Sequence, residues 1–356
     1  MDPKDRSFQI FFALTIMKYA KGISLFVITL FTSVILSNVF LLKNYIISPA
    51  FFCIVIGLLV GNVITISKYT NQLINFILTN ILKVGIALLG IGLSIHELFK
   101  YGLSSVLLII INILLVFFIL LLLGKVFKIS KNLIILITMG TSICGVTAIA
   151  ATSTIIKSNQ TDTGYAIGVV TIFGLVAVLV YPHMAQYIFD GNNINAGIFL
   201  GAAIHDTAQV SAAGLIYQET FSSPVALEAS MTTKLLRNSF LIILIPLFTH
   251  FHENKKNIND SSSVLKFFPF FVLGFILISL LRTAGDIFIE NTHYQEKWEI
   301  FIIIIKYISK YMILISMIAL GLKIKINEFK QVGFKPLIAG FVAAASVGIS
   351  SVIFLS

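Results

Sequence analysis

Charged residues are scarce in this chain. Only 11% of its 356 residues are Asp, Glu, Lys or Arg, whereas 58% are hydrophobic. Because a soluble domain carries about a quarter charged residues, a soluble globular protein is excluded. The two cysteines, Cys53 and Cys144, lie in apolar segments and exclude a disulfide framework. The composition therefore predicts an all-α membrane protein with many membrane-spanning helices.

Motifs of soluble enzymes are also absent. The sequence has no GxxxxGK[ST] phosphate-binding loop, no HExxH zinc motif and no GxSxG nucleophile elbow. We predict no enzyme activity, no metal site and no cofactor, with H⁺ or Na⁺ considered only as a coupling ion. The net charge of +10 does not predict a nucleic-acid partner. Most cations lie in short segments between apolar runs, as they do in cytoplasmic loops.

Runs of about 20 apolar residues predict where the chain crosses the bilayer. Residues 1–21 are predicted to form a cytoplasmic lead-in or interfacial helix, and residues 22–356 a single transmembrane domain. The sequence predicts about eleven spans: 22–42, 46–66, 78–99, 103–123, 132–156, 162–183, 195–217, 228–250, 265–285, 301–322 and 334–355.

The cations set the predicted orientation. They cluster before the first span and in alternate loops, and the opposite loops hold Glu97, Glu219, Glu290, Glu296 and Glu299. The positive-inside rule then places the N-terminus in the cytoplasm. An odd number of spans places the C-terminus outside, and a re-entrant segment would change the count.

Two stretches of the chain resemble each other. ALLGIGLSIHELFKYG at 87–102 matches SMIALGLKIKINEFKQVG at 316–333, with small insertions. Transporter folds are often built from such internal repeats. Several spans follow the first copy but only one follows the second. A plain tandem duplication does not explain that difference.

Small and polar residues interrupt the fifth predicted span, ILITMGTSICGVTAIAATSTII. A broken helix here would present backbone N–H groups and a positive half-helix end at mid-depth, which suits an anion. The alternative is close helix packing, with each hydroxyl bonded to its own helix and Cys144 a small buried residue. The first interpretation predicts a substrate site made of Gly140, Thr141, Ser142, Cys144, Gly145 and Thr147.

The seventh span, around GIFLGAAIHDTAQVSAAG, contains His205, Asp206 and Gln209. Ionisable residues at membrane depth usually face a cavity, a partner or a transported ion. His205 and Gln209 are at i and i+4, so they are predicted to share one helical face, with Asp206 about 100° away from His205. We predict an ion-coupling site in which Asp206 titrates or coordinates a cation. The alternative is a structural network in which Asp206 pairs with a Lys or Arg of another span.

Lys234 and Arg237 begin the eighth span, at i and i+3 on one face. They are predicted to bind an anionic substrate or to pair with Asp206. The alternative is that they extend to the lipid headgroups, which is common for cations at helix ends. Arg282 and Lys83 are assigned to the headgroups outright.

Several motifs together resemble the bacterial YeiH-type family, whose members are described as sulfate exporters. The similarity extends from about residue 46 to the end of the chain, and the Ser142–Gly145 core of the family is intact. The family commonly has Glu after the His, where this chain has Asp206. The matching segments are GTSICGVTAIAAT (140–152), GAAIHDTAQVSAAG (201–214), KLLRNSFLIILIP (234–246), FPFFVLGFILISLL (268–281) and MIALGLKIKINEFKQVGFKPLIAG (317–340).

The resemblance implies a fold related to the bile-acid, arsenite and cation–proton antiporter class. Such proteins have core and panel bundles, inverted repeats, and broken helices that cross at the membrane midplane. It also implies a bacterial plasma-membrane location. The segments at 140–145 and 205–209 would then be the polar core elements. Because this chain keeps a carboxylate that is one methylene shorter, an ion-binding role is retained with altered site dimensions.

The favoured hypothesis is a secondary transporter of a small anion, such as a sulfur oxyanion or organic sulfonate, coupled to H⁺ or Na⁺. Alternating access would come from one bundle rocking against the other. The alternatives are a passive anion channel, a non-transporting sensor or anchor subunit, and an intramembrane hydrolase using Cys144 or Ser142. The lipid bilayer is an expected partner, and the sequence leaves a homodimer open.

Overall fold

The computed structural model describes residues 3–43, 45–241, 243–244, 270–289, 292–329 and 333–356. Throughout these ranges the regular secondary structure is helical. Seven of the described helices are long and apolar enough to cross a membrane. The prediction of an all-α, multi-pass membrane protein is therefore confirmed.

Fourteen helices are numbered here in chain order within the described residues. The first four are α1 (Pro3–Leu42), α2 (Pro49–Val63), α3 (Lys68–Gly92, with a π-helical turn at Ile77–Ile81) and α4 (Ile95–Phe127). The central group is α5 (Lys131–Ser142), α6 (Val146–Ile155), α7 (Gln160–Phe189), α8 (Asn193–Ala203), α9 (Thr207–Phe221) and α10 (Pro224–Ser239). The last group is α11 (Phe271–Ile289), α12 (Gln295–Lys323), α13 (Ile326–Phe329) and α14 (Phe334–Leu355).

Helices α5 and α6 form a hairpin, which we call hairpin A. The Oγ of Ser130, which caps the start of α5, donates to Asp162 Oδ2 in the first turn of α7, over 2.9 Å. If α6 continued in the direction of α5, the ends of the pair would lie about 35 Å apart. A Cβ added to Gly140 would lie 2.7 Å from Ile149 Cδ1, so the two arms also pack on each other. Hairpin A thus begins and ends at the same end of the molecule.

Helices α8 and α9 form a second hairpin, hairpin B, at the opposite end of α7. The hydroxyl of Tyr217, late in α9, donates to Asn193 at the start of α8 over 3.0 Å. The same hydroxyl donates to Gln186, near the end of α7, over 2.6 Å. Both ends of hairpin B therefore lie beside the end of α7, whereas both ends of hairpin A lie beside its start.

The tips of the two hairpins meet halfway along α7, a helix of 30 residues. Near the tip of hairpin B, Gln209 Nε2 donates to the carbonyl of Thr171 over 3.3 Å. Near the tip of hairpin A, a Cβ on Gly140 would lie 3.0 Å from Val170 Cγ2. Because residues 170–171 lie near the middle of α7, both hairpins penetrate to the mid-depth of this spanning helix.

The broken helices were predicted to cross the membrane, and this prediction is wrong. Each is a hairpin whose second arm returns toward the end at which the first arm begins. The predicted spans 132–156 and 195–217 correspond to hairpins A and B and do not cross. The predicted span 46–66 falls on the shorter helix α2. The predicted span 228–250 falls on the shorter helix α10 and continues beyond the described residues. The predicted span 78–99 was misplaced, because α3 ends at Gly92 and α4 begins at Ile95. The count of about eleven spans is not confirmed.

Glycines allow the other helices to pack closely. A Cβ on Gly57 of α2 would lie 2.8 Å from the carbonyl oxygen of Ile318 in α12, and one on Gly321 would lie 2.4 Å from that of Ile54. At the end of α3, a Cβ on Gly90 would lie 2.3 Å from the carbonyl oxygen of Phe275 in α11. Helices α2, α3, α11 and α12 therefore pack together beside the hairpins.

The hairpin topology predicts the sides of two loops. We expect Ser158→Cys, after hairpin A, and Ser222→Cys, after hairpin B, to be labelled by an impermeant thiol reagent from opposite faces of the membrane. Two crossing helices would instead place both positions on the same face. The measurement compares labelling in intact cells and in inverted vesicles, with the unsubstituted chain giving the background from Cys53 and Cys144. Labelling of both positions from one face would contradict the hairpins.

Candidate functional site

The tip of hairpin A depends on a glycine. Gly145 has φ +66°, in the left-handed region that side chains rarely adopt. A Cβ at this position would also lie 2.8 Å from Asp206 Oδ2. Any side chain would therefore strain the turn and push away the tip of hairpin B. The interruption predicted for the segment 140–147 is confirmed at Ile143–Gly145, between α5 and α6.

Asp206 lies at the start of two helices. It is the N-cap of α9, where its Oδ1 accepts the N–H of Ala208 over 2.8 Å. In return, Gln209 Oε1 accepts the N–H of Asp206 over 3.3 Å, which completes a capping box. The other oxygen, Oδ2, lies against the tip of hairpin A, 2.8 Å from where a Cβ on Gly145 would stand. The carboxylate thus caps the start of α9 and lies beside the start of α6.

The predicted shared helical face of His205 and Gln209 is wrong. The helix ends at Ala203 and restarts at Thr207, so His205 lies in the turn and Gln209 in the first turn of α9. The helical spacing i to i+4 does not apply across this break. Gln209 nevertheless contacts Asp206, but as its capping partner.

Lys234 and Arg237 are buried in the interior of the molecule, with exposed fractions of 0% and 1%. Lys234 Nζ donates to the carbonyl oxygens of Ile143, Ile204 and His205. These oxygens lie at the ends of α5 and α8, where helix carbonyls have no partner within the helix. The alternative interpretation, in which these two cations extend to the lipid headgroups, is therefore wrong.

Arg237 completes the same arrangement. Its Nε donates to the carbonyl of Ser142 over 2.8 Å, and its Nη1 to that of Ala202 over 2.7 Å and that of Ile204 over 3.2 Å. Its Nη2 donates to the carbonyl of Thr141. The two cations therefore satisfy the carbonyl ends of both inward arms, and within the described part of the chain they donate to main-chain oxygens only.

The charges around the tips leave an excess of positive charge. The helix starts at α6 and α9 carry about +0.5 each and the helix ends at α5 and α8 about −0.5 each, so these terms cancel. Lys234 and Arg237 contribute two positive charges and ionised Asp206 one negative charge. Among the described residues, the ion pairs within 4.0 Å join other groups, so Asp206 is not directly paired. The remaining charge, about +1, favours an anion.

One side of the tips is accessible. Thr147 and Val146 at the start of α6 are exposed, and Asp206 and Thr207 are partly exposed. Gly145, the N-cap of α6, has no side chain that could cap the helix. The N–H groups of the first turn have no partner within the helix, and two residues of that turn, Val146 and Thr147, are exposed.

The other predicted site residues are buried near this surface. Ser142 and His205 are 3% and 2% exposed, and Ser142 Oγ and His205 Nδ1 have no hydrogen-bond partner. Cys144 is buried as a free thiol at the tip of hairpin A. Gly140 serves packing against Ile149. The structure thus brings the predicted residues into one region, but gives Gly140 a packing contact and Lys234 and Arg237 main-chain partners.

Sequence reasoning missed two polar contributions. Asn238 Nδ2 donates to Thr207 Oγ1 over 3.0 Å, and the Asn238 Oδ1 is buried without a partner. Lys310 of the long helix α12 pairs with Glu219 of α9. In the sequence, the charge of Lys310 inside the apolar run IIIIKYISKYMILIS was the signal that could have indicated a buried partner. Arg282, assigned to the headgroups, instead pairs with Asp286 over 2.7 Å.

Comparison with known proteins gives one consistent result. Residues 21–340 match the family model described as "Conserved hypothetical protein 698". The chain is 30% identical to a UPF0324 membrane protein of Clostridium tetani, over 95% of this chain and 97% of that protein. It is 31% identical to UPF0324 membrane proteins of Fusobacterium nucleatum (84% of this chain, 90% of that protein) and Streptococcus agalactiae (84% and 86%). No solved structure matches.

Proposed function

Because the chain belongs to the UPF0324 family of bacterial membrane proteins, the YeiH-type family of the sequence resemblance, we propose that it is a secondary transporter of a small anion. A sulfur oxyanion or an organic sulfonate is the substrate class, and H⁺ or Na⁺ is the coupling ion. The observation that carries the proposal is the meeting of two hairpin tips around an excess positive charge. The start of α6, where Gly145 supplies no side-chain cap, lies on the exposed side of these tips.

The anion is held by donors at the tip of hairpin A. These donors are the N–H groups of the first turn of α6 and the hydroxyl of Thr147, a residue that is exposed. The Ser142 hydroxyl, which has no partner, is a further donor close to this turn in the chain. Lys234 and Arg237 act through their field, because their donors are already bonded to carbonyl oxygens. The substrate's charge is thereby compensated without moving either cation.

Asp206 carries the coupling ion in this mechanism. Asp206 is a partly exposed residue and its carboxylate lies against the tip of hairpin A, so a proton or cation bound there changes the charge next to the anion. With Asp206 neutralised, the local charge rises to about +2 and anion binding strengthens. Binding of the two ions is then cooperative, which is the basis of coupled transport.

Alternating access fits two related, inverted halves. The hairpins enter from opposite ends of α7, and each is followed by a helix that leads away from its loop, α7 after hairpin A and α10 after hairpin B. The first half would be α2, α3, α4, hairpin A and α7. The second would be hairpin B, α10, α11, α12 and α14, so that its hairpin comes first in the chain.

The internal echo supports this permuted order. The copy at 87–102 covers the junction of α3 and α4, and the copy at 316–333 the end of α12 and the approach to α14. Their partners are exchanged, because α2 packs on α12 and α11 packs on α3. If the second half begins with its hairpin, only one spanning helix is left to follow the second copy. A plain tandem duplication does not explain that difference.

The thermal stability of the purified protein tests the substrate class. We expect sulfite, sulfate or an organic sulfonate to raise the melting temperature, because a ligand at about 100 times its Kd stabilises the folded state by about 2.7 kcal/mol. The shift should be lost in Ser142→Ala. It should persist in Ser316→Ala, where the replaced buried hydroxyl bonds its own helix.

The assay varies the anion, Na⁺ and pH independently. A Na⁺ effect without any anion effect would retain the coupling site but reject the anion substrate. Equal loss of the anion shift in both serine variants would place the binding site elsewhere. Saturable uptake into vesicles that depends on an ion gradient distinguishes the transporter from a passive channel.

A further inference from the structure

A buried carboxylate joins hairpin B to two neighbouring helices. Glu219, near the end of α9, pairs with Lys310 of α12 at 2.8 Å, and the Glu219 side chain is only 9% exposed. The Ser48 hydroxyl, which caps the start of α2, donates to the other carboxylate oxygen. We call Ser48, Glu219 and Lys310 the Glu219 cluster. It fastens the end of hairpin B to both α2 and α12.

The two hairpins differ in what covers them. In hairpin B, the return arm α9 packs against α2 and α12, and most of its residues are buried. In hairpin A, the return arm α6 packs on α5 and α7, and Thr147, Ala150 and Thr154 are exposed along one face. Among the described residues, the tips are therefore covered on the side of hairpin B and exposed on the side of hairpin A.

From this asymmetry we infer that the structure is the state of the transporter that is closed at the hairpin B end, with the Glu219 cluster as its gate. The inference rests on the proposed transport function. Opening toward this end requires α9 to separate from α2 and α12, which breaks the Glu219–Lys310 pair. The same movement exposes the α2 surface behind the pair.

An ion pair suits this role better than an apolar contact. Glu219 is buried and Lys310 is 36% exposed, and the desolvation penalty of the buried carboxylate offsets much of its attraction to the lysine, so the pair adds little net stability. Separation returns the carboxylate to water, which regains hydration. The pair therefore fixes the register of the closed state and still permits opening, whereas a large apolar contact would resist it.

The two native cysteines report on the two sides of the tips. Cys53 of α2 is fully buried and close enough to Glu219 for the two to interact electrostatically. Cys144 lies at the tip of hairpin A, with 5% of its surface exposed. Labelling of each thiol by a maleimide can be followed by mass spectrometry in the full-length protein, in vesicles, without substrate.

Glu219→Gln is expected to raise the labelling rate of Cys53 about 5- to 30-fold and to leave that of Cys144 unchanged or lower. This range corresponds to a loss of one to two kcal/mol from the closed state. The exchange Glu219→Lys with Lys310→Glu should restore slow labelling. Asp286→Asn, which breaks the Arg282–Asp286 pair within α11, is the matched control and should change neither rate.

Two outcomes would overturn the gate. Unchanged labelling of Cys53 in Glu219→Gln would mean that the cluster does not hold this end closed. An equal rise for Cys53 and Cys144 would mean that the substitution loosens the whole fold. Lys310→Gln repeats the test from the other partner of the pair. Because labelling needs no substrate, these outcomes are independent of whether the proposed anion is transported.

Discussion

Asp206→Asn is expected to abolish gradient-driven transport while the protein remains folded. Asparagine is as good an N-cap as aspartate, so its side-chain oxygen can still accept the N–H of Ala208. The substitution removes the negative charge that a proton or Na⁺ would neutralise. Anion binding should therefore persist and lose its dependence on pH or Na⁺. The measurement is anion flux in proteoliposomes under an imposed proton or Na⁺ gradient, together with thermal shifts.

Asp206→Glu is the matched comparison, because it keeps the carboxylate with one more methylene. We expect it to retain coupled transport at a reduced rate, since Gly145 leaves little room beside this side chain. Transport by Asp206→Asn at the unsubstituted rate, driven by the same gradient, would reject the coupling role. An Asn variant that melts well below the unsubstituted protein would instead assign Asp206 to the fold.

Arg237→Met is expected to prevent stable folding. The guanidinium satisfies the carbonyls of Thr141, Ser142 and Ala202. Lys234 donates instead to those of Ile143, Ile204 and His205. Each buried carbonyl left without a donor costs about 1–3 kcal/mol. Three of them approach the whole stability of a typical protein, about 5–15 kcal/mol. Expression and monodispersity on size exclusion in detergent, followed by thermal melting, measure the loss.

Arg237→Lys tests whether charge alone is sufficient. A lysine keeps the positive charge but lacks the planar fork that reaches both hairpins, so we expect an intermediate loss of stability. Arg282→Met is the control, because that arginine forms a partly exposed pair with Asp286. Removal of a surface pair costs about 0–1 kcal/mol. Arg237→Met with the melting temperature of Arg282→Met would show that the carbonyl ends do not depend on the cation.

The sequence located the polar residues of the site but not their partners. Gly145, Ser142 and Asp206 stand out because polar groups are costly in an apolar segment, and that signal is local. The partners of Lys234 and Arg237 are carbonyl oxygens of two other helices, and backbone atoms leave no trace in the residue pattern. Their spacing at i and i+3 was visible, but it fitted a lipid-facing helix end equally well.

The Glu219 cluster was missed for a related reason. Glu219 was predicted to lie in an external loop. No partner was predicted for Lys310, which lies inside a long apolar run. The pair joins positions 91 residues apart, and Ser48 is 171 residues from Glu219. A carboxylate near a helix end has the same sequence pattern whether it faces water or a buried lysine.

By itself, the sequence determined that this is an all-α membrane protein, the family to which it belongs, and that a helix breaks between Gly140 and Thr147. Hydropathy, motifs and glycines are properties of the residues and their near neighbours. Only the tertiary structure decided the direction that the chain takes after each break. A helix interrupted at Ile143–Gly145 has the same local pattern whether the next arm continues or returns. The return is fixed by distant contacts, Ser130 with Asp162 and Tyr217 with Asn193.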